Sequence, residues 1–152
     1  MSVLLSSVRR FCREHRLILP DSTVLAACSG GPDSVVLLDL LAGMADEFSF
    51  QLHTAHFNHR LRAEESDEDA RFVKQLTELY GFPCTVGEWD APAVEGPVSE
   101  AQARAARYRF LLETAQKTNA SRVALGHTAD DQVETVILNL VRGAGLKGLR
   151  GM

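Results

Sequence analysis

Three short stretches hold the residue types that handle anions and cations. In the first, Ser29-Gly30-Gly31-Pro32-Asp33-Ser34 stands directly after an apolar run. Two glycines permit positive φ and close backbone approach, so successive N–H groups can turn toward an anion. Pro32 suits the first turn of a helix, whose free N–H groups and dipole favour phosphate, and Ser29 and Ser34 add hydroxyl donors. The stretch is neither G-x-x-x-x-G-K-[ST] nor G-x-G-x-x-G, and it has no lysine for terminal phosphates. A carboxylate beside a phosphate is unfavourable without a bridging cation, so Asp33 implies Mg²⁺. The plainer alternative is a tight turn with Asp33 as a helix-start carboxylate.

The second stretch, His56-Phe57-Asn58-His59-Arg60-Leu61-Arg62, reads as a cationic cluster beside the presumed pocket. An acidic run from Glu64 to Asp69 follows and is expected to be a solvated helix start, where negative charge is favoured. His56 and His59 are zinc ligands by type, but no third partner stands at suitable spacing. In the third, Gly126-His127-Thr128-Ala129-Asp130-Asp131-Gln132-Val133-Glu134, Thr128 and Asp131 form a capping-box-like pair. Asp131 and Glu134 also share one helix face, and two adjacent carboxylates attract Mg²⁺ or the ammonium groups of an amino acid. Asp130 is expected to be exposed. Arg104, Arg107 and Arg109 sit on a long helix and point in different directions. Spacing alone suits surface solvation for each, while Arg107 is the one chosen for a phosphate, which a planar guanidinium clamps through two oxygens.

Alternating periodicities supply the elements that must position these groups. Helices are expected over residues 2–15, Asp33–Ala45, Ser66–Tyr80, 99–118 and Asp130–Val141. Strands are expected at Thr23–Cys28, 49–56, Cys84–Trp89 and 122–125, with Asp90–Pro97 a loop. Val73, Leu76 and Tyr80 should face the core from one helix, and Ala101, Ala105, Tyr108 and Leu112 from another. The alternation predicts an α/β, Rossmann-like, doubly wound parallel sheet in strand order 3-2-1-4. Ligands in such sheets bind at the carboxyl ends of the strands flanking the switch in direction, here after Cys28 and after Leu125.

At 152 residues, 45% hydrophobic and 24% charged, the chain is sized for one globular domain. Its net charge of −4 excludes a basic nucleic-acid binder as a whole, so any RNA contact is expected to come from a local patch or from polypeptide outside these residues. The apolar runs are far short of the ~20 residues that span a bilayer, and no signal peptide is evident. Cys12, Cys28 and Cys84 stand apart, which argues against disulfides, a zinc ribbon or a dithiol site.

SGGPDS resembles the SGGxDS loop of the N-type ATP pyrophosphatases, which cleave ATP between the α and β phosphates and transfer AMP to a carbonyl oxygen. HFNHRLR resembles the H-x-[DN]-H-x-L-R signature of the tRNA(Ile)-lysidine synthetases, and the run from Glu100 to Tyr108 resembles their corresponding helix. Residues 125–152, LGHTADDQVETVILNLVRGAGLKGLRGM, resemble their G-H-x-x-D-D-x-x-E-T…R-G-x-G-x-x-G-L-x-G-M segment. The resemblance covers residues 23–152 and implies a cytoplasmic ligase. ATP would adenylate the C2 carbonyl of the wobble cytidine of the CAU-anticodon tRNA(Ile). The ε-amine of free L-lysine would then displace AMP, with Mg²⁺ as the ion.

It further implies that Ser29, Gly30, Gly31, Pro32, Asp33, Ser34, His56, Arg107, Gly126 and His127 bind the nucleotide. Asp33, Arg107, Asp131 and Glu134 would be catalytic, and Asp33 and Asp131 would hold metal. Asp131 and Glu134 orient lysine or share the metal, and His127 or solvent serves as base. Because a glycine-rich run ends at Met152 with no further strand, residues 1–152 are expected to be an N-terminal PP-loop catalytic domain, truncated before a fifth strand and before regions that help bind tRNA. A tRNA thiolase of the same superfamily is the nearest rival, although such enzymes rely on paired cysteines. A non-catalytic adenine-nucleotide module is the other, and it gives no reason for Asp131 beside Glu134.

Overall fold

A computed structural model of the chain describes residues 3–59, 64–89 and 99–133. The elements run α1 (Val3–Glu14), β1 (Thr23–Ala27), α2 (Pro32–Ala42), α3 (Ala45–Phe48), β2 (Gln51–Asn58), α4 (Glu64–Tyr80), β3 (Cys84–Glu88), α5 (Glu100–Lys117) and β4 (Ala120–Leu125). All four strands are parallel, in the expected order β3-β2-β1-β4. Ala27 stands level with Ala55 on one side and Leu125 on the other. The chain segments that leave β1, β2 and β4 therefore emerge together at one edge, where a doubly wound sheet binds ligands.

Alternation along β1 explains the two layers. Val24, Ala26 and Cys28 point to a core shared with Leu38 and Leu41 of α2 and Val73 of α4. Leu25 points the other way, to Ala55, Leu111 and Ala115, so α5 covers the opposite face. A strand buried on both faces needs the continuous apolar run seen at Thr23–Ala27. On the first face, Leu76 and Tyr80 pack beside Val73 as the periodicity requires.

Several boundaries differ from expectation. The second helix ends at Ala42, with the Gly43 N–H closing on Asp39, and the separate short helix α3 follows it. Ser49 adopts φ +53 and cannot begin a strand, so β2 starts at Gln51 and reaches Asn58. That shift adds Phe57 and Asn58 to the regular strand, which already held His56. The packing face of α5 is also corrected. Tyr108 and Leu112 are exposed, whereas Ala103, Leu111, Thr114 and Ala115 are buried. The register is set by Phe110, whose ring lies where a Cβ on Gly87 would stand, 2.3 Å from its Cε2, and stacks on Phe57 at 5.3 Å. This rotation turns Arg107 inward. The loop expected at Asp90–Pro97 lies outside the described residues, as does the last expected helix beyond 133; residues 129–133 are helical.

Candidate active site

The turn after β1 is built around one left-handed glycine and one buried hydroxyl. Gly30 has φ +94, which suits glycine, whereas Gly31 is an extended N-cap with Pro32 at the first helical position. Helix α2 consequently presents the unbonded N–H groups of its first turn at the sheet edge. Ser34 is buried, donates to the Gly31 carbonyl at 2.8 Å and accepts from the Ser29 N–H at 3.1 Å. Its one hydrogen is thus committed within the turn, and the expected ligand donor is instead a strut. The Ser29 hydroxyl accepts from the Gly31 N–H at 3.4 Å and, with the Ser34 hydrogen given to Gly31, donates to Ser34 Oγ at 3.1 Å.

Beyond this turn lies a cavity of about 170 Å³ at the carboxyl edge of β1, β2 and β4. Of the expected residues, Ser29, Ser34, His56, Arg107, Gly126 and His127 line it. Gly30, Gly31, Pro32 and Asp33 stand on the turn beside it, with the Asp33 side chain exposed. Gly126 passes so close over α2 that a Cβ would lie 3.0 Å from Ser34 Cα. Thr128 and Asp131 form the reciprocal cap: both the Thr128 N–H (2.6 Å) and its hydroxyl (3.0 Å) donate to Asp131 Oδ2. Those bonds hold the Asp131 carboxyl below its usual range. Asp130 is exposed as expected, and Glu134, Arg60 and Arg62 lie outside the described residues.

The histidine part of the expected cationic cluster is corrected. Burial pushes the His56 imidazole down from its ordinary value, outweighing its bond to Cys28 and the nearby Asp69 charge. His59 is pushed down by burial, then by Arg107 and His56, and His127 by burial, then by Arg107 and Arg104. All three rings are therefore mainly neutral near pH 7. Positive charge at the described cavity wall comes from Arg107.

Residues passed over in the sequence also contribute. Asn58 donates to Asp67 at 2.8 Å, and a Cβ on Gly30 would lie 3.2 Å from Asp69 Oδ1, so the start of α4 leans on the turn. Part of the acidic run is thus built into the site. The available signal was the strand period of two, which puts His56 and Asn58 on one face of β2.

Among the described residues, His56 Nε2, His59 Nδ1 and Arg107 Nε are buried nitrogens without a partner, and all three residues line this cavity. An unsatisfied buried polar atom costs about 1–3 kcal/mol, so three around one void mark a place built for a polar ligand. Apolar Leu111 and Leu125 complete the wall, as expected where a flat ring must also be held.

Comparison with known proteins agrees with this geometry. Residues 4–152 match the PP-loop domain, and the chain belongs to that family of ATP-binding domains. It is 40% identical over 153 residues to the tRNA(Ile)-lysidine synthase of Dehalococcoides mccartyi, a match covering 99% of this chain and 32% of that protein. The tRNA(Ile)-lysidine synthase of Geobacter sulfurreducens is 41% identical, covering 100% and 33%. That of Geobacillus kaustophilus is 38% identical, covering 98% and 33%. The chain thus spans about a third of the length of these relatives. The solved structure of the U34-tRNA thiolase NcsA from Methanococcus maripaludis with its [4Fe-4S] cluster superposes with a TM-score of 0.79. That match covers 94% of this chain and 51% of NcsA at 20% identity, a likeness of fold.

Proposed function

We propose that this chain supplies the ATP-handling domain of a cytoplasmic tRNA(Ile)-lysidine synthase. ATP would adenylate the C2 carbonyl oxygen of the wobble cytidine in the CAU-anticodon tRNA(Ile), releasing pyrophosphate, and free L-lysine would displace AMP. The observation that carries the reading is the set of unpartnered nitrogens of His56, His59 and Arg107 around a cavity that opens on the Ser29–Ser34 turn. The names of the relatives support the choice of substrate. Among the described residues no helix is long and apolar enough to cross a membrane.

The division of labour follows from chemistry. Backbone N–H groups of Gly30, Gly31 and the first turn of α2 would hold the pyrophosphate, and the Arg107 guanidinium would bind α-phosphate oxygens. Asp33, exposed beside the turn, offers the hard oxygens that Mg²⁺ prefers, and Asp131 with Glu134 would complete the metal site or orient lysine. When bound, the ion would offset charge developing on the leaving pyrophosphate. His127, whose imidazole burial and the nearby arginines hold below its ordinary value, or solvent would take the proton that the lysine amine must lose.

The test is AMP release from ATP with lysine and a CAU-anticodon transcript supplied separately and together. Release that needs both supports the proposal. Release indifferent to lysine and to tRNA would contradict it and favour a plain nucleotide hydrolase or binding module.

A further inference from the structure

Two pairs of arginines are braced in different ways. Arg9 lies 2.9 Å from Glu47, and Arg13 shares that carboxylate, so their charge is offset within the fold. Arg104 and Arg107 rest instead on an aromatic ring. Their Cζ atoms lie 5.1 and 5.4 Å from the Tyr108 ring centroid, and Arg104 Nη2 donates to the Tyr108 hydroxyl at 3.3 Å. A ring and a phenol hold a guanidinium in place without neutralising it. Both charges also act on His127 at the cavity wall, helping to hold its imidazole below the ordinary value. Among the described side chains neither arginine has a carboxylate partner.

Two like charges gathered on one exposed ring attract anions. Arg107 lines the cavity, whereas Arg104 is exposed and stands outside that lining. The proposed reading gives Arg107 the α-phosphate and leaves Arg104 free for a second anion at the rim. On a chain of net charge −4, such a local patch is where a polyanion is still attracted. Single-stranded RNA supplies phosphates for a planar fork and bases that stack on exposed guanidinium and aromatic planes. We infer that Arg104, braced on Tyr108, grips the RNA backbone beside the nucleotide that enters the cavity. The inference rests on the proposed tRNA reading and names a contact for that substrate outside the ATP cavity. Tyr108 is the positioning residue, since one ring steadies Arg107 over the cavity and Arg104 at its rim.

The experiment is fluorescence anisotropy of a labelled CAU anticodon stem-loop RNA with the chain over a range of salt concentrations, alongside calorimetric titration with ATP. Arg104→Gln should bind the RNA about tenfold more weakly and lower the slope of log K against log salt by about one. Its ATP affinity should stay unchanged. Arg104→Lys should restore the slope, because it restores the charge. Tyr108→Leu should weaken RNA binding several-fold with the slope kept, and Tyr108→Phe, which retains the ring, should lose less. An unaltered chain that binds ATP but no RNA would overturn the inference and leave the ATP site standing, as would RNA affinity and slope unmoved in Arg104→Gln. Polyglutamate binding that Arg104→Gln weakens while RNA binding is unmoved would assign the patch to an acidic polypeptide instead. Failure of ATP to bind the unaltered chain would overturn the site reading itself, a result distinct from the others.

Discussion

Gly126 and Ser34 meet backbone to backbone: a Cβ at Gly126 would lie 3.0 Å from both Cα and N of Ser34 and 3.2 Å from the Asp33 carbonyl carbon. The segment leaving β4 therefore rests on the first turn of α2, and the two sides of the cavity are set by one contact. Gly126→Ala should push them apart, weakening ATP binding and costing about 1–3 kcal/mol of stability through overpacking. Isothermal titration and thermal melting of the variant check this. Unchanged values for both would mean the segment yields without consequence.

Arg107 faces the cavity because Phe110 sets the rotation of α5. Arg107→Ala should lower ATP affinity about 10- to 100-fold, the worth of charge-assisted hydrogen bonds to phosphate, with little change in melting temperature. Arg107→Lys should recover part of the affinity, since it restores charge without the planar fork. Wild-type affinity in the alanine variant would return Arg107 to a surface role.

Asp131 separates capping from metal binding. Asp131→Asn keeps an oxygen able to accept from Thr128 and removes the charge, whereas Asp131→Ala removes both. The alanine variant should melt at a lower temperature than the asparagine variant, because it loses both bonds from Thr128. If the residue also holds Mg²⁺, both variants should raise the Mg²⁺ concentration needed for half-maximal AMP formation. A shift confined to alanine would assign Asp131 to the cap alone.

Stability should fall as the medium is acidified through the histidine range. His53, His56, His59 and His127 all have folded-state values below their ordinary 6.5. The unfolded chain then binds more protons than the folded one below about pH 6.5, so stability is full above that pH and declines as pH falls toward the folded values. The depressed Asp131 acts lower, around its ordinary 3.8 and below, outside this window. Urea melts at pH 8, 6.5 and 5.5 should show a falling midpoint, with a shallower fall in His56→Asn. A midpoint that rises on acidification would contradict the assigned neutral rings.

Much of the architecture was legible because parallel strands and amphipathic helices write their periods into local sequence. The strand order and the two loops at the switch point followed from alternation and from the right-handed crossover rule. What local sequence could not carry was rotation about a helix axis. Ala101, Ala105, Tyr108 and Leu112 form as good a helical stripe as the face actually buried, and the choice between them is made by Gly87, which leaves space for the Phe110 ring. Charge state was equally non-local. His56 and His59 read as cations in a string beside arginines, but burial makes them neutral, and burial is a property of the assembled sheet edge. Ser34 read as a donor to a ligand, and its hydrogen is instead held by Gly31 three residues earlier.

The proposed ATP site is one cavity, with the phosphates expected at the Gly30–Pro32 turn. A crystal structure of the chain soaked with Mg²⁺ and an ATP analogue whose α–β bridge cannot be cleaved tests that most directly. The β and γ phosphates should lie against the N–H groups of Gly30, Gly31 and the first turn of α2. The α-phosphate should lie near Arg107. Phosphates bound elsewhere would contradict it.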